Sequence, residues 1–82
     1  MCRNITILRG LDPPATPEEV ESAARQYVRK VAGVTTANQM TSPDVVRAVE
    51  AVADATRELL AALPPRRQPP TTLPPLRRRA EP

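Results

Sequence analysis

Apolar residues recur at helical spacing over two stretches of this chain. The first stripe has steps of three and four, as on one helix face, and consists of Val20, Ala23, Ala24, Tyr27, Val28, Val31 and Ala32. The second alternates steps of four and three, as in a heptad seam, and consists of Val45, Val49, Val52, Thr56, Leu59 and Leu63, widened by Val46, Ala53 and Leu60. These patterns predict two amphipathic helices, over about residues 17–32 and 43–63, whose stripes form the core.

Start and stop signals flank both stripes. Thr16 is a helix N-cap, and Glu19, three residues later, completes a capping box. Gly33 supplies a left-handed C-terminal cap for this first helix. Ser42 caps the second helix without a capping box, and the prolines at 64–65 end it. Two helices joined by a short polar connection over residues 34–41 predict an antiparallel hairpin.

The segment before the first helix carries aliphatic residues but has no partner strand. We expect it to lie extended, or as a single turn, across the helix pair, with the prolines at 13–14 forming a stiff elbow. The predicted fold class is therefore all-α: a small antiparallel helical hairpin with a packed N-terminal segment. Its core depends on aliphatic residues, because the only aromatic residue is Tyr27, which we expect to be a core ring with a wet hydroxyl.

Residues 64–82 have a different composition. They hold seven of the eleven prolines, and five arginines against one glutamate, whereas residues 1–63 carry seven basic and eight acidic groups. Proline lacks the N–H that helices and sheets need, and few apolar side chains remain to offset the ordering entropy. We predict a helical domain over residues 1–63 and a disordered, Pro/Arg-rich tail over residues 64–82.

The single cysteine, with no histidine, excludes an internal disulfide and leaves zinc without its usual ligands. We expect no cofactor, and the residues form no catalytic constellation that would indicate an enzyme or a small-molecule substrate.

No apolar run is long enough for a membrane span or a signal sequence. A reduced thiol indicates a cytoplasmic protein, and the excess of arginine over lysine suggests a bacterial, GC-rich genome. A domain this small is marginal alone, so we expect a homo-oligomer or another protein partner.

Four short motifs occur in order along the chain. They are MCRNI at residues 1–5, PPAT at 13–16, QYVRK at 26–30 before Gly33, and a pattern of AV, AT and LL pairs over residues 48–60. With these motifs the chain resembles a family of short uncharacterised bacterial proteins, domain of unknown function family 2277. The resemblance covers about residues 1–63 and departs at Val45, where the family usually has phenylalanine. It implies domain limits and no established function.

Cys2 is the candidate reactive thiol. Removal of the initiator methionine would place this thiol beside a free α-amine, and Arg3 adds a second cation. Both charges favour the thiolate, which is the nucleophilic form. The alternative, which we favour, is that Cys2 is a small packed side chain.

Basic residues are the candidate anion or nucleic-acid contacts. One group is Arg25, Arg29 and Lys30 with Arg3 and Arg9, for which a solvated helix face is favoured over a phosphate site because acidic residues lie near it. The second group is in the tail: Arg66, Arg67, Arg77, Arg78 and Arg79. Five arginines allow only weak, salt-sensitive binding of nucleic acid.

The sequence is compatible with three functions. The favoured one is a small helical module for protein interaction or self-association. The alternatives are a nucleic-acid-associated accessory protein that uses the arginine-rich tail, and a thiol-dependent redox role for Cys2.

Overall fold

The computed structural model describes residues 5–11, 13–64 and 73–80, with the backbone alone for residues 78–80. In chain order these residues form α1 (Pro17–Ala32), α2 (Ala37–Met40), α3 (Pro43–Ala62) and α4 (Pro75–Ala80). No β-strand occurs among them. Because α1 packs mainly against α3, the predicted all-α hairpin is confirmed.

The bounds of α1 follow from its capping residues. Thr16 Oγ1 accepts a hydrogen bond from the Glu19 backbone N–H at 3.1 Å, and the Glu19 carboxylate accepts one from the Thr16 N–H at 2.9 Å. This is the predicted capping box, which satisfies backbone groups that a helix start leaves without partners. At the other end Gly33 is left-handed, with φ 69°, and its N–H donates to the Arg29 carbonyl. Both predicted caps are therefore present.

The connection between α1 and α3 contains a short helix that the sequence interpretation missed. Thr36 and Gln39 form a second capping box, in which the Gln39 N–H donates to Thr36 Oγ1 at 3.1 Å and the Thr36 N–H donates to Gln39 Oε1 at 3.2 Å. The resulting turn, α2, buries Met40 in the core. The prediction of a polar connection is therefore wrong at Met40, because a helical turn carries one apolar side chain inwards.

The core is one cluster to which the N-terminal segment contributes. Its buried hydrophobic residues are Leu8, Leu11, Val20, Ala24, Val28, Met40, Val49 and Ala53. Gly10, with φ 91°, reverses the chain between Leu8 and Leu11, so this segment lays two aliphatic side chains across the helix pair, as predicted. Arg9 Nε donates to the Pro64 carbonyl at 2.8 Å, which holds the segment near the end of α3.

The buried face of α3 differs from the predicted seam near its C-terminal end. Val49 is buried as predicted, but Leu59 is 55% and Leu63 37% exposed, whereas Ala53 and Leu60 belong to the packed face. A helix advances by about 100° per residue, so Leu60 lies within about 20° of Val49 around the axis and Leu59 lies about 80° away. The buried positions therefore follow the 3.6-residue period of an α-helix more closely than the 3.5-residue period that the heptad pattern assumes.

The apolar stripe of α1 is covered over only part of its length. Val20 and Val28 are buried, but Tyr27 is 49% and Val31 68% exposed. The contact between Arg9 and Pro64 places the covering N-terminal segment near the end of α3, which in an antiparallel hairpin is near the start of α1. The C-terminal end of the stripe therefore lies open, and the prediction that Tyr27 is a core ring is wrong.

Part of the tail that was predicted to be disordered is folded onto the helix pair. Leu73 packs against the core, Pro74 is buried, and α4 begins at Pro75, a residue suited to the first helical position. The prediction of disorder is corrected for residues 73–80, because one leucine and one arginine find partners on the folded domain. Residues 65–72 and 81–82 lie outside the described residues, and there it stays a prediction.

Candidate functional site

A groove runs along the face of α1 opposite its apolar stripe. It has a volume of about 620 Å³ and is lined by Ser22, Arg25, Gln26, Arg29, Lys30, Gly33, Val34 and Thr35. Arg25 and Arg29 are one helical turn apart and are therefore neighbours on the helix surface. The left-handed Gly33 turns the chain so that Val34 and Thr35 bound the groove at the end of the helix. We call this feature the basic groove.

The charges of the basic groove all have one sign. Its lining includes three cations and no carboxylate. Across residues 5–11, 13–64 and 73–80, no carboxylate lies within 4.0 Å of the charged nitrogens of these cations, whereas the described ion pairs are Arg47–Asp44, Arg57–Asp54 and Arg77–Glu19. The sequence favoured a solvated helix face here, and the structure adds that the three cations line one concavity.

A second feature is the pair of exposed apolar side chains at the end of α1. Tyr27 and Val31 are four residues apart and lie on the same helical face as the buried Val20, Ala24 and Val28. We call Tyr27 and Val31 the exposed ridge. It continues the core-facing stripe into solvent, with Tyr27 about half exposed and Val31 mostly exposed.

The most buried polar contact joins the two ends of the described chain. Arg77 Nε donates to Glu19 Oε2 at 2.8 Å, and a second guanidinium nitrogen donates to Glu19 Oε1 at 3.2 Å and to the Pro14 carbonyl at 2.9 Å. The Glu19 side chain is 2% exposed and that of Arg77 17%. This bidentate pair fixes α4 against the start of α1.

The pKa of Glu19 reflects two opposing effects. Burial of the carboxyl raises its pKa, because the charged form loses water. The hydrogen bond from Arg77, the backbone N–H of Thr16 and the guanidinium charge lower the pKa, and together they outweigh the burial. The pKa of Glu19 therefore lies below its ordinary value of 4.5, and the carboxylate is charged at neutral pH.

The structure separates the predicted anion contacts. Arg25, Arg29 and Lys30 come together in the basic groove, while Arg77 binds Glu19 and Arg9 binds the Pro64 carbonyl. Arg78 and Arg79 belong to α4, where the structure describes their backbone alone. Cys2, Arg3, Arg66 and Arg67 lie outside the described residues.

Sequence reasoning missed the partner of Glu19. It assigned Glu19 to the capping box alone, and that box is present. No local pattern links this glutamate to an arginine 58 residues away. In contrast, the turn that buries Met40 had a visible signal, because Thr36 and Gln39 have the spacing of a capping box.

A comparison with protein-family models identifies the family of this chain. A family model described as an uncharacterized conserved protein (DUF2277) matches residues 1–82. The chain belongs to the DUF2277 family. The DUF2277 match includes Leu73 and Arg77, so the similarity to the family extends beyond residues 1–63, which the motifs cover. No curated protein and no solved structure matches this DUF2277 chain.

Two general classes of site do not occur in the described part of this DUF2277 protein. Among the residues that the structure describes, no three Cys, Asp or Glu side chains converge as metal ligands. None of the described helices has both the length and the apolar character of a membrane span. The candidate surfaces on the described residues are the basic groove and the exposed ridge.

Proposed function

We propose that this protein is a small helical interaction module of the bacterial cytoplasm, and that its partner is a second copy of itself. The observation that carries this proposal is the exposed ridge. Tyr27 is 49% and Val31 68% exposed, although they share a helical face with three buried residues. An apolar stripe that continues beyond its own core is typical of a face that packs against another helix.

The size of the core supports a second copy as the occupant. The described part of the chain has eight buried hydrophobic residues, and no large side chain there is less than 2% exposed. Domains of this size usually gain stability from disulfides, metals or oligomerisation. One cysteine and no histidine leave oligomerisation as the remaining route.

A twofold axis would let the exposed ridge pack on itself. In such an isologous interface the Tyr27 ring of one copy meets Val31 of the other, so an apolar surface is complementary to its own copy without charge matching. Two side chains per copy make a small contact, well below the ~1,200 Å² of stable interfaces. We therefore expect a weak dimer, with a dissociation constant on the order of 100 μM.

Sedimentation of the full chain from about 10 μM to about 1 mM tests this proposal. The average mass should rise from the 9.0 kDa monomer towards twice that value. Val31→Asp should remain monomeric and folded, because a highly exposed position tolerates a charge. Leu59→Asp is the matched control, since Leu59 is also exposed but lies near the end of α3, and its association should persist. If the wild type stays monomeric at the highest concentration, or if Val31→Asp associates as the wild type does, self-association through the exposed ridge is refuted.

The nucleic-acid alternative remains a proposal for the tail. Arg77 is engaged by Glu19, which leaves Arg66, Arg67, Arg78 and Arg79 as its contacts. A variant in which these four arginines are replaced by glutamine, while Arg77 and its ion pair are kept, should then elute from heparin at lower salt than the full chain. Unchanged elution would exclude the tail as the binding element.

The redox alternative depends on Cys2, which is outside the described residues. Iodoacetamide labelling of the native protein at neutral pH should be faster than labelling of free cysteine if the thiol is activated. Equal or slower labelling would remove this alternative.

A further inference from the structure

The cations of the basic groove have no assigned role in the hairpin or in the proposed dimer. Arg25, Arg29 and Lys30 are exposed, and they line one concavity without a carboxylate. Like charges held close together repel, and none of the described ion pairs includes one of these three cations. An anion in the groove would offset it.

We propose that the basic groove binds a compact anion with adjacent phosphate groups, of the oligophosphate class. Arg25 and Arg29 stand on successive turns, with Cβ atoms about 5–6 Å apart, so each guanidinium can take one phosphate through paired N–H donors. Lys30 adds a third charge, and the hydroxyls of Ser22 and Thr35 stand at the groove as neutral hydrogen-bond donors. Its volume of about 620 Å³ falls within the usual range of small-ligand sites.

The C-terminal end of α1 would oppose an anion if its carbonyls were free. The Arg29 carbonyl is not free, because the N–H groups of Gly33 and Val34 both donate to it, the latter at 3.0 Å. The cap therefore reduces the negative potential at the place where the groove ends.

The lining favours a small anion over a nucleic acid or an acidic peptide. No aromatic side chain lines the groove for base stacking, since Tyr27 lies on the opposite face of α1. Val34 is the one sizeable apolar side chain of the lining, whereas a bound peptide usually needs apolar anchors. The groove instead offers a concentration of positive charge over about two turns of α1.

An amide-resolved NMR titration of the full chain with tripolyphosphate at low salt tests this inference. We expect saturable shifts centred on residues 22–35. The double variant Arg25→Gln/Arg29→Gln should bind at least about ten-fold more weakly. The matched control, Arg47→Gln/Arg57→Gln, removes the same charge from α3 and should bind within about two-fold of wild type. Thermal melting confirms folding, and Lys30→Gln, expected to weaken binding by several-fold, replaces the double variant if that variant is unfolded.

The other outcomes overturn the inference. Shifts that do not saturate, or equal weakening in both double variants, would indicate a general charge effect. Equal binding of citrate would show that phosphate is not the recognised group. Tighter binding of a single-stranded oligonucleotide at equal phosphate concentration would assign the groove to nucleic acid. The readout is independent of self-association, because the neutral Val31→Ser variant, which also removes an apolar side chain from the exposed ridge, should bind tripolyphosphate as wild type does.

Discussion

Arg77→Gln should destabilise the protein substantially, although this residue lies in a segment whose composition predicts disorder. The substitution leaves the Glu19 carboxylate, 2% exposed, with the Thr16 N–H as its remaining described partner. Breaking a fully buried ion pair costs about 3–5 kcal/mol. Because the Arg77 side chain is 17% exposed, water replaces part of the lost interaction, and we expect a loss of about 2 kcal/mol. A domain of this size has about 4–12 kcal/mol in total.

A double-mutant cycle measures this pair directly. Urea unfolding of wild type, Arg77→Gln, Glu19→Gln and the double variant should give a coupling energy of about 1–2 kcal/mol, and Arg77→Gln should melt about 10 °C lower. Arg47→Gln is the control, because its ion pair with Asp44 is largely exposed and should contribute less than about 0.5 kcal/mol. A coupling energy near zero, or an Arg77→Gln variant as stable as the control, would contradict the buried geometry.

Four further outcomes are expected. Since the pKa of Glu19 is lowered from 4.5, its contribution to stability is present above that pH and is lost as pH falls through the lower folded-state pKa. Urea midpoints should therefore drop as pH falls below 4.5, and less so when its arginine partner is absent. Leu60→Asp should cost about 2–4 kcal/mol and Leu59→Asp under about 1, measured by chemical denaturation; equal effects would restore the heptad seam. Gly33→Ala should lower stability by about 1 kcal/mol through φ 69° alone, because the added methyl would meet no heavy atom within 4 Å beyond the residue itself and its chain neighbours. An unchanged melting temperature would contradict this. Thr6→Val should stabilise by up to about 1 kcal/mol, because Thr6 Oγ1 is buried and has no hydrogen-bond partner in the described part of the chain; destabilisation would indicate a partner for that hydroxyl.

The sequence predicts local structure well here because local signals control it. The Thr16 capping box and the left-handed Gly33 define the ends of α1 through contacts that span only a few residues. The same kind of signal at Thr36 was present and overlooked. Helix bounds are therefore readable wherever capping residues are read consistently.

Tertiary placement was predicted less well because it depends on which segment covers which surface. Leu60 rather than Leu59 belongs to the packed face, and the two side chains differ by about 100° around the helix axis. This difference decides which substitution destabilises the protein, although the sequence pattern is almost the same for either assignment. The exposure of Tyr27 follows from where the N-terminal segment ends. The pairing of Arg77 with Glu19 joins positions 58 residues apart, and no periodicity encodes it.

The bond between Arg77 and Glu19 also has a consequence for synthesis on the ribosome. Glu19 is translated well before its partner, which lies 58 positions further along the chain. The growing chain therefore carries this glutamate without its arginine until the segment that holds Arg77 has emerged. Emergence of that segment then allows the ion pair to form, and a chain terminated before it would be a hairpin that lacks this contact.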